Sequence, residues 1–248
     1  MPDLQEMEKK YLIKKEETYG EIIRFITTAI TEKTAVGPYF VKEMLQKNRE
    51  YRYFDTFDGA LEDKDLLAYV GPLEREGASA SLRERPEKND YALTVKFPTD
   101  DPEVRYEDDF RFNPGVDMYK VDPNGLVNMW SPLQKIIELG GNMPLQEVVR
   151  LTVDTTRFNL FRDDDHRLEV AVDYVKGKSP VGISREFHEL EIEVRAKGEN
   201  NDKEKAAAFF SDKYGSQLVY SRLPKWIKML HLMRGQEILS DNPPDQID

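Results

Sequence analysis

The chain has no cysteine, and this absence excludes several kinds of chemistry at once. Without thiols there is no disulfide, no thiolate nucleophile and no Cys-ligated zinc site. The three histidines, His166, His188 and His231, are scattered along the sequence, and none is assigned to a site. No apolar run approaches the length of a membrane span, and the segment 1–10 does not have the pattern of a signal peptide. We therefore expect a soluble cytoplasmic protein that does not bind membranes.

Basic residues are outnumbered by acidic ones, with 36 Lys and Arg against 47 Asp and Glu, so the 248 residues carry a formal net charge of −11. Such a balance disfavours non-specific binding to nucleic acid or to an anionic membrane. The charged fraction is nevertheless high, at 33% against the usual quarter. With 12 Phe and 12 Tyr, the sequence also has the aromatic residues of a packed core. The composition predicts a globular protein with an unusual number of charges to place.

Polar and apolar residues alternate in eight short segments, which is the pattern of half-buried strands. These segments are 4–13, 51–56, 78–85, 91–97, 103–110, 148–158, 168–174 and 187–196. A series of this kind predicts an antiparallel sheet system closed into a barrel or a sandwich. The fold class is α+β and mainly β.

Helical spacing of apolar residues appears between and after these strands. Helices are predicted at 19–33, 41–48, 202–214 and 223–234. The segment 113–145 interrupts the strand series and contains one predicted helix at 132–139. It is interpreted as an insertion, because it has too few apolar residues to form a hydrophobic core of its own. We predict a single domain over 1–248 with a disordered tail at 241–248.

Charged residues occupy every second position in five of the eight strands and therefore share one face of each strand. The segment ELEIEV, for example, aligns Glu189, Glu191 and Glu193 opposite apolar residues. Three like charges on one strand repel each other, so the fold gains from them only if a cation lies between them. If helices cover the apolar faces from outside, the charged faces point inward and line a polar lumen.

The charges of such a lumen indicate its ligand. Guanidinium and ammonium groups suit phosphate oxygens, and carboxylates without His or Cys suit a hard divalent ion such as Mg²⁺ or Mn²⁺. Basic and acidic walls together predict a metal-bridged polyphosphate.

These charged segments resemble, in order, the motifs of the CYTH family, the triphosphate tunnel metalloenzymes. The family includes class IV adenylate cyclases, thiamine triphosphatases and inorganic triphosphatases. The matching segments are E-x-E-x-K from Glu6 to Lys10, YFDT at 53–56, R-x-R at Arg83 and Arg85, LTVK ending at Lys96, R-x-E-x-D from Arg105, Arg157, VAVD ending at Asp173, and ELEIEV. The ordered set spans residues 4–196.

The resemblance implies an eight-stranded antiparallel β-barrel whose charged tunnel binds a triphosphate group, with helices packed outside. It also implies roles for individual residues. Lys10, Arg83, Arg85, Lys96, Arg105, Arg157 and Arg222 resemble phosphate ligands. Glu6, Glu8, Glu107, Asp109, Glu189, Glu191 and Glu193 resemble metal ligands, and Glu191 and Lys10 are the candidate catalytic residues.

The sequence departs from the family pattern at two of these places. Thr155 precedes Arg157 where the family often has a second basic residue, and Ser221-Arg222 stands where a Ser-Lys dipeptide is expected near the C-terminal helix. Arginine keeps the charge of lysine but not its geometry.

The function predicted from the sequence is metal-dependent hydrolysis of a phosphoanhydride bond in an inorganic or organic triphosphate. Two alternatives stay open at this stage. One is a class IV-type adenylate cyclase that converts ATP to cyclic AMP and pyrophosphate, and the other is a polyphosphate-binding module without turnover. The expected partner is a small-molecule triphosphate rather than a nucleic acid, and whether the chain forms a dimer is left open.

Overall fold

The computed structural model describes residues 5–64, 66–72, 91–100, 104–113, 116–195 and 197–238. The β-strands within these ranges are β1 (Gln5–Ile13), β2 (Ala35–Val36), β3 (Tyr39–Asp55), β4 (Leu67–Pro72), β5 (Tyr91–Pro98), β6 (Val104–Arg111), β7 (Gln146–Arg162), β8 (Asp165–Lys178), β9 (Ser184–Val194) and β10 (Leu218–Tyr220). The α-helices are α1 (Glu16–Glu32), α2 (Ala60–Asp63), α3 (Ser131–Leu139), α4 (Asn200–Tyr214) and α5 (Lys225–Met233). None of these helices is both long enough and apolar enough to cross a bilayer.

The strands belong to one ten-stranded sheet with the order β10-β1-β6-β5-β4-β3-β7-β8-β9. The short β2 pairs with β3, and β1 also pairs with β9. The registers of β3 with β4, β4 with β5, β5 with β6 and β1 with β9 are all antiparallel. The prediction of a mainly antiparallel sheet with helices is therefore confirmed, whereas an eight-stranded closed barrel stays a prediction.

Strands were predicted at seven of the observed positions, while β2, β4 and β10 were missed, and the predicted strand at 78–85 lies outside the described residues. The helices predicted at 19–33, 132–139, 202–214 and 223–234 are confirmed as α1, α3, α4 and α5. The helix predicted at 41–48 is wrong, because this segment belongs to the long strand β3. The tail at 241–248 also lies outside the described residues.

The chain divides into two compact units. Unit 1 consists of Met1–Glu6, Arg49–Thr152 and Gly177–Ser184, and unit 2 consists of Met7–Asn48, Val153–Lys176 and Arg185–Asp248.

The core of unit 2 lies between one face of its strands and the helices α1 and α4. Ile22 and Ile26 on α1 are fully buried, and they belong to the same apolar cluster as Leu190 and Ile192 of β9. Because side chains alternate along a strand, the residues of β9 between and beyond these two point to the opposite face. Burial of the apolar face therefore leaves Glu189, Glu191 and Glu193 of β9 on the side away from α1 and α4.

The core of unit 1 is built in the same way, with α3 packed over strands. Leu133 and Ile136 of α3 are fully buried in one cluster with Leu93 and Val95 of β5. The predicted helix of the segment 113–145 thus contributes to a core shared with strands. Thr94 and Lys96, which alternate with these apolar residues, lie on the other face of β5.

The start of α4 is fixed by a capping box that also reaches β3. The Glu199 side chain accepts a hydrogen bond from the backbone three residues later, and Asp202 accepts one from the Glu199 N–H at 3.1 Å. The buried Asp202 carboxylate also accepts a hydrogen bond from the Tyr39 hydroxyl at 2.9 Å. These contacts satisfy backbone groups that a helix start leaves without partners.

Candidate functional site

The charged residues of β1 and β9 face each other across an antiparallel pair. Glu8 stands opposite Glu193, and Lys10 stands opposite Glu191. Directly opposed residues on paired strands share a face, so E-x-E-x-K and ELEIEV contribute to one surface. We call this surface, on the side away from α1 and α4, the charged face of unit 2.

Lys225, the first residue of α5, occupies the centre of the charged face. Its Nζ atom lies 2.5 Å from Glu191 Oε1, 3.0 Å from Asp173 Oδ2 and 3.1 Å from Glu189 Oε1. One ammonium group therefore contacts carboxylates of both β8 and β9. Ion pairs with this many charge-assisted contacts are geometrically demanding, and here they fix the start of α5 against the sheet.

Lys228, one helical turn further along α5, binds Glu189 in a second ion pair. Both side chains are completely buried. Residues three apart on a helix lie on the same face, which explains how Lys225 and Lys228 reach the same carboxylate.

Lys10 completes the cluster from β1. Its ammonium group contacts Glu8 and lies 3.8 Å from Glu191 Oε1. We define the carboxylate–lysine cluster as Glu8, Lys10, Asp173, Glu189, Glu191, Lys225 and Lys228. Four carboxylates and three ammonium groups give it a formal charge of −1.

Burial and pairing shift the pKa values of these groups in opposite directions. Burial by itself would raise the pKa of Glu191, but Lys225 and Lys10 hold it well below its ordinary value. Burial dominates at Asp173 and Glu189 and raises the pKa of each carboxyl group. The pKa of Lys225 lies well above its ordinary value, because the three carboxylates outweigh the effect of burial. Glu191 and Lys225 are thus both firmly ionised.

Three members of the cluster have the donor set of a hard divalent cation. Oxygen atoms of Asp173, Glu189 and Glu191 all lie within 4.8 Å of one another. Asp173 Oδ1 is buried and makes no hydrogen bond of normal geometry within the described chain. Carboxylate oxygens are the ligands that Mg²⁺ and Mn²⁺ prefer, so these residues fit the predicted metal.

A second ionic network continues along the charged face of unit 2. Arg157 Nε on β7 lies 2.7 Å from Glu169 Oε1 on β8, and Arg195 Nη2 lies 2.8 Å from the other Glu169 oxygen. Arg195 Nη1 also donates to Glu193 at 2.7 Å. The predicted phosphate ligand Arg157 and the predicted metal ligand Glu193 are thus joined through one carboxylate and one guanidinium group.

Unit 1 has its own charged face on β5 and β6. Lys96 stands opposite Glu107 and lies 2.7 Å from its carboxylate, and Thr94 stands opposite Asp109 and donates to it at 2.6 Å. The predicted residues of LTVK and R-x-E-x-D are therefore brought together as neighbours. Tyr69 stands opposite Thr94 on β4, so an aromatic ring continues this row.

The pattern of motifs and the geometry agree with a comparison to known families. A family model described as the CYTH domain matches residues 4–218. The chain belongs to the CYTH family. No curated protein matches the sequence.

Solved structures with the CYTH-type architecture are similar to this CYTH chain at low sequence identity. A proposed adenylyl cyclase from Hippeastrum, for which a dominant triphosphatase activity is described, is 14% identical with a TM-score of 0.54, covering 94% of this chain and 97% of its own. A proposed adenylate cyclase from Bacillus halodurans is 17% identical with a TM-score of 0.48, covering 88% and 91%. A Mimivirus capping enzyme triphosphatase is 13% identical with a TM-score of 0.41, covering 82% and 86%. At these identities the likeness concerns the fold alone, and of these three structures it is the Hippeastrum one, with a TM-score above 0.5, that supports it.

Several predicted site residues of this CYTH chain have side chains beyond the described part. Arg83 and Arg85 lie outside the described residues, while Glu6 on β1 and Arg105 on β6 are placed in strands without described side chains. Arg222 is exposed, and its guanidinium group lies 5.8 Å from the centre of the Tyr220 ring. The roles of all five as ligands stay predictions.

The structure adds three residues that the sequence analysis did not assign to the CYTH site, namely Asp173, Lys225 and Lys228. Asp173 ends the VAVD motif, but its position beside Glu189 and Glu191 is visible only in the structure. The two lysines occur three apart in a helix whose other residues, apart from His231, are apolar, and that spacing was the available signal. Lys225 reaches the cluster from a point three residues beyond the dipeptide Ser221-Arg222.

Proposed function

We propose that this CYTH chain is a metal-dependent hydrolase of a triphosphate, inorganic or organic, bound along the charged faces of an eight-stranded tunnel. The observation that carries the proposal is the carboxylate–lysine cluster, in which three carboxylates able to hold a divalent ion stand beside three ammonium groups. A simple anion-binding module gains nothing from four carboxylates at its ligand, since they repel phosphate.

The basic residues would bind the phosphate oxygens. Lys10 and Lys225 are placed for this beside the candidate metal ligands, and both are partly accessible to solvent. Phosphoryl transfer asks the protein mainly for positioning and for neutralisation of charge. The predicted ligands Arg83, Arg85, Lys96, Arg105, Arg157 and Arg222 would extend the binding surface along the substrate.

The acidic residues would hold Mg²⁺ or Mn²⁺. Asp173, Glu189 and Glu191 would form one ligand set, since their oxygens lie within 4.8 Å of one another, and Glu6, Glu8, Glu107, Asp109 and Glu193 are the further predicted ligands. A divalent ion held by these carboxylates would neutralise phosphate charge and strengthen electrostatic stabilisation of the transferred group.

Glu191 would orient the attacking water. Its low pKa keeps the carboxylate ionised, so it accepts a hydrogen bond from water but is a weak proton acceptor. The water oxygen forms the new bond to phosphorus, the phosphoanhydride oxygen leaves, and the released proton passes to solvent.

The decisive assay measures phosphate release from tripolyphosphate, ATP and thiamine triphosphate. Each reaction is run with Mg²⁺, with Mn²⁺ and with EDTA, and the products are separated by chromatography. Phosphate release that EDTA abolishes is the expected result, and the ranking of substrates identifies the subclass. Pyrophosphate together with cyclic AMP from ATP would instead identify a cyclase. Binding of tripolyphosphate without turnover would leave a binding module.

A variant of the candidate catalytic carboxylate links the assay to the site. We expect Glu191→Gln to reduce kcat by about a hundredfold or more, because a charged group that acts on the transition state is removed from a water-poor site. Glu186→Gln is the matched control, since Glu186 lies on the same strand but is exposed and accepts a hydrogen bond from the Tyr174 hydroxyl, outside the cluster. Equal activities of the two variants would contradict the assigned role of Glu191.

A further inference from the structure

Lys225 holds the position among the carboxylates that a divalent cation would need. Its Nζ atom contacts one oxygen of each of Asp173, Glu189 and Glu191 at 2.5 to 3.1 Å. These same three residues form the candidate metal ligands, with oxygens within 4.8 Å of one another. Two cations among the same three oxygens repel each other strongly in a site shielded from water.

The two lysines of α5 differ in how easily their ammonium groups can move away from the carboxylates. Lys228 is completely buried against Glu189, whereas the Lys225 side chain keeps 16% of its exposure. Lys225 is also the first residue of α5, directly after Pro224. An ammonium group is disfavoured near the positive end of a helix, which lowers the cost of moving it away. The long flexible stem of lysine allows such a movement without a change in the helix.

We propose that Lys225 is a built-in competitor of the divalent cation, which occupies the Asp173, Glu189 and Glu191 carboxylates until metal displaces its ammonium group. The inference rests on the proposed function for the metal-binding role of these carboxylates. It adds that the metal affinity of the protein is set by one lysine of α5. Metal binding then requires the Lys225 ammonium group to move to solvent or to the phosphate oxygens of a bound substrate.

The first test compares Mn²⁺ binding by wild-type protein and by Lys225→Met, with calorimetry and without substrate. We expect Lys225→Met to bind Mn²⁺ more tightly by about tenfold or more, since a unit charge a few ångströms from the carboxylates is removed. Lys176→Met is the matched control, because it removes an exposed ammonium group from the opposite face of β8. Its Mn²⁺ affinity should equal that of the wild type. Equal or weaker binding by Lys225→Met would overturn the inference.

The second test uses the wild-type protein, so that it does not depend on the folding of a variant. The protein is isotope-labelled at its lysine side-chain nitrogens, and the Lys225 signal is assigned through its loss in Lys225→Arg. Saturation with Mg²⁺ should shift the Lys225 signal toward that of a solvated ammonium group and leave the Lys228 signal in place. A Lys225 signal that does not move at saturating Mg²⁺ would overturn the inference.

Failure of this inference is distinguishable from failure of the proposed function. Metal-dependent phosphate release together with an unmoved Lys225 would overturn the competition and leave the hydrolase intact. A tight Mn²⁺ site in Lys225→Met, together with wild-type protein that turns over no triphosphate, would support the competition and contradict the hydrolase.

Discussion

The ion pair of Lys228 with Glu189 has no exposure on either side chain, and this determines what removal of one partner does. We expect Lys228→Met to reduce the free energy of unfolding by about 3–5 kcal/mol, because Glu189 would keep a buried charge with one partner fewer. Urea denaturation measures this loss. Lys9→Met is a suitable control, since it breaks the more exposed pair with Glu204 and should cost no more than about 1 kcal/mol.

A double variant separates the pair from its individual members. Combining Lys228→Met with Glu189→Gln removes both charges, and we expect it to recover part of the stability lost in the single variant. Strictly additive losses would show that the two side chains do not act as a pair.

His188 gives the stability of the protein a dependence on pH. Burial lowers the pKa of His188 below its ordinary value of 6.5, and its ring packs between those of Tyr19 and Tyr174 at 4.5 and 4.8 Å. Because the folded state binds the proton less readily than the unfolded state, this contribution is complete above pH 6.5 and is lost as the pH falls through the folded pKa.

We therefore expect the free energy of unfolding to fall as the pH drops below about 6.5, and to fall less steeply in His188→Phe, which keeps an aromatic ring without titration. The measurement is a series of urea denaturations across this range. A slope remains in the variant because burial also lowers the pKa of His166. Superimposable pH profiles of variant and wild type would contradict the prediction.

Individual site residues could be predicted from the sequence only where the motif lies on one strand. Alternation along β1 and β9 placed Lys10 and Glu191 on the charged faces of their strands, and the structure pairs them. Lys225 reaches the same cluster from a helix, and its partners come from β8 and β9, which are distant in sequence. No local pattern encodes the approach of α5 to these strands, so this part of the cluster required the structure.

At the scale of elements, one buried carboxylate fixes the turn between β3 and α2. Asp55 is 1% exposed and accepts hydrogen bonds from the backbone N–H groups of Thr56, Leu61 and Glu62 at 2.6, 2.9 and 3.1 Å. The Asp55 carboxylate thus accepts hydrogen bonds from N–H groups of the first turn of α2, which lack partners within the helix.

We expect Asp55→Ala to lower the free energy of unfolding by about 3 kcal/mol, because buried backbone N–H groups would lose their acceptor. Thermal or urea denaturation tests this, with Asp63→Ala as a control at an exposed carboxylate of α2. An Asp55→Ala protein as stable as the control would show that water or the backbone replaces the carboxylate.

The segment 41–48 shows why one element was predicted wrongly. It is rich in strong helix formers, and Val41, Met44, Leu45 and Asn48 follow helical spacing. In the structure Glu43 and Asn48 on β3 bind Asn159 and Asp154 on β7. Pairing in the sheet outweighs local propensity here, and such long-range contacts are not encoded within a window of eight residues.

At the scale of the whole molecule, the ordered set of motifs was sufficient to predict the family, and the domain match over residues 4–218 confirms it. The net charge of −11 was less informative about the site. It averages over a cluster in which four carboxylates stand against three ammonium groups, and it therefore conceals how closely the two signs are mixed. Composition reports the sum of the charges, whereas the ligand responds to their arrangement.

The lysines of the cluster bear on whether the protein needs a metal ion in order to fold. The carboxylates of the cluster are already paired with ammonium groups, so we expect the site to be folded before any metal binds. We expect EDTA to abolish phosphate release while it leaves the melting temperature within about 2 °C of the untreated value, in contrast to domains whose folding requires metal. Calorimetric melting of the protein in EDTA measures its melting temperature, and an assay after Mg²⁺ is restored measures the recovery of phosphate release. Loss of the folded state in EDTA would mean that the fold requires the metal. Full recovery of activity after Mg²⁺ is restored would mean that the protein folds first and binds the metal afterwards.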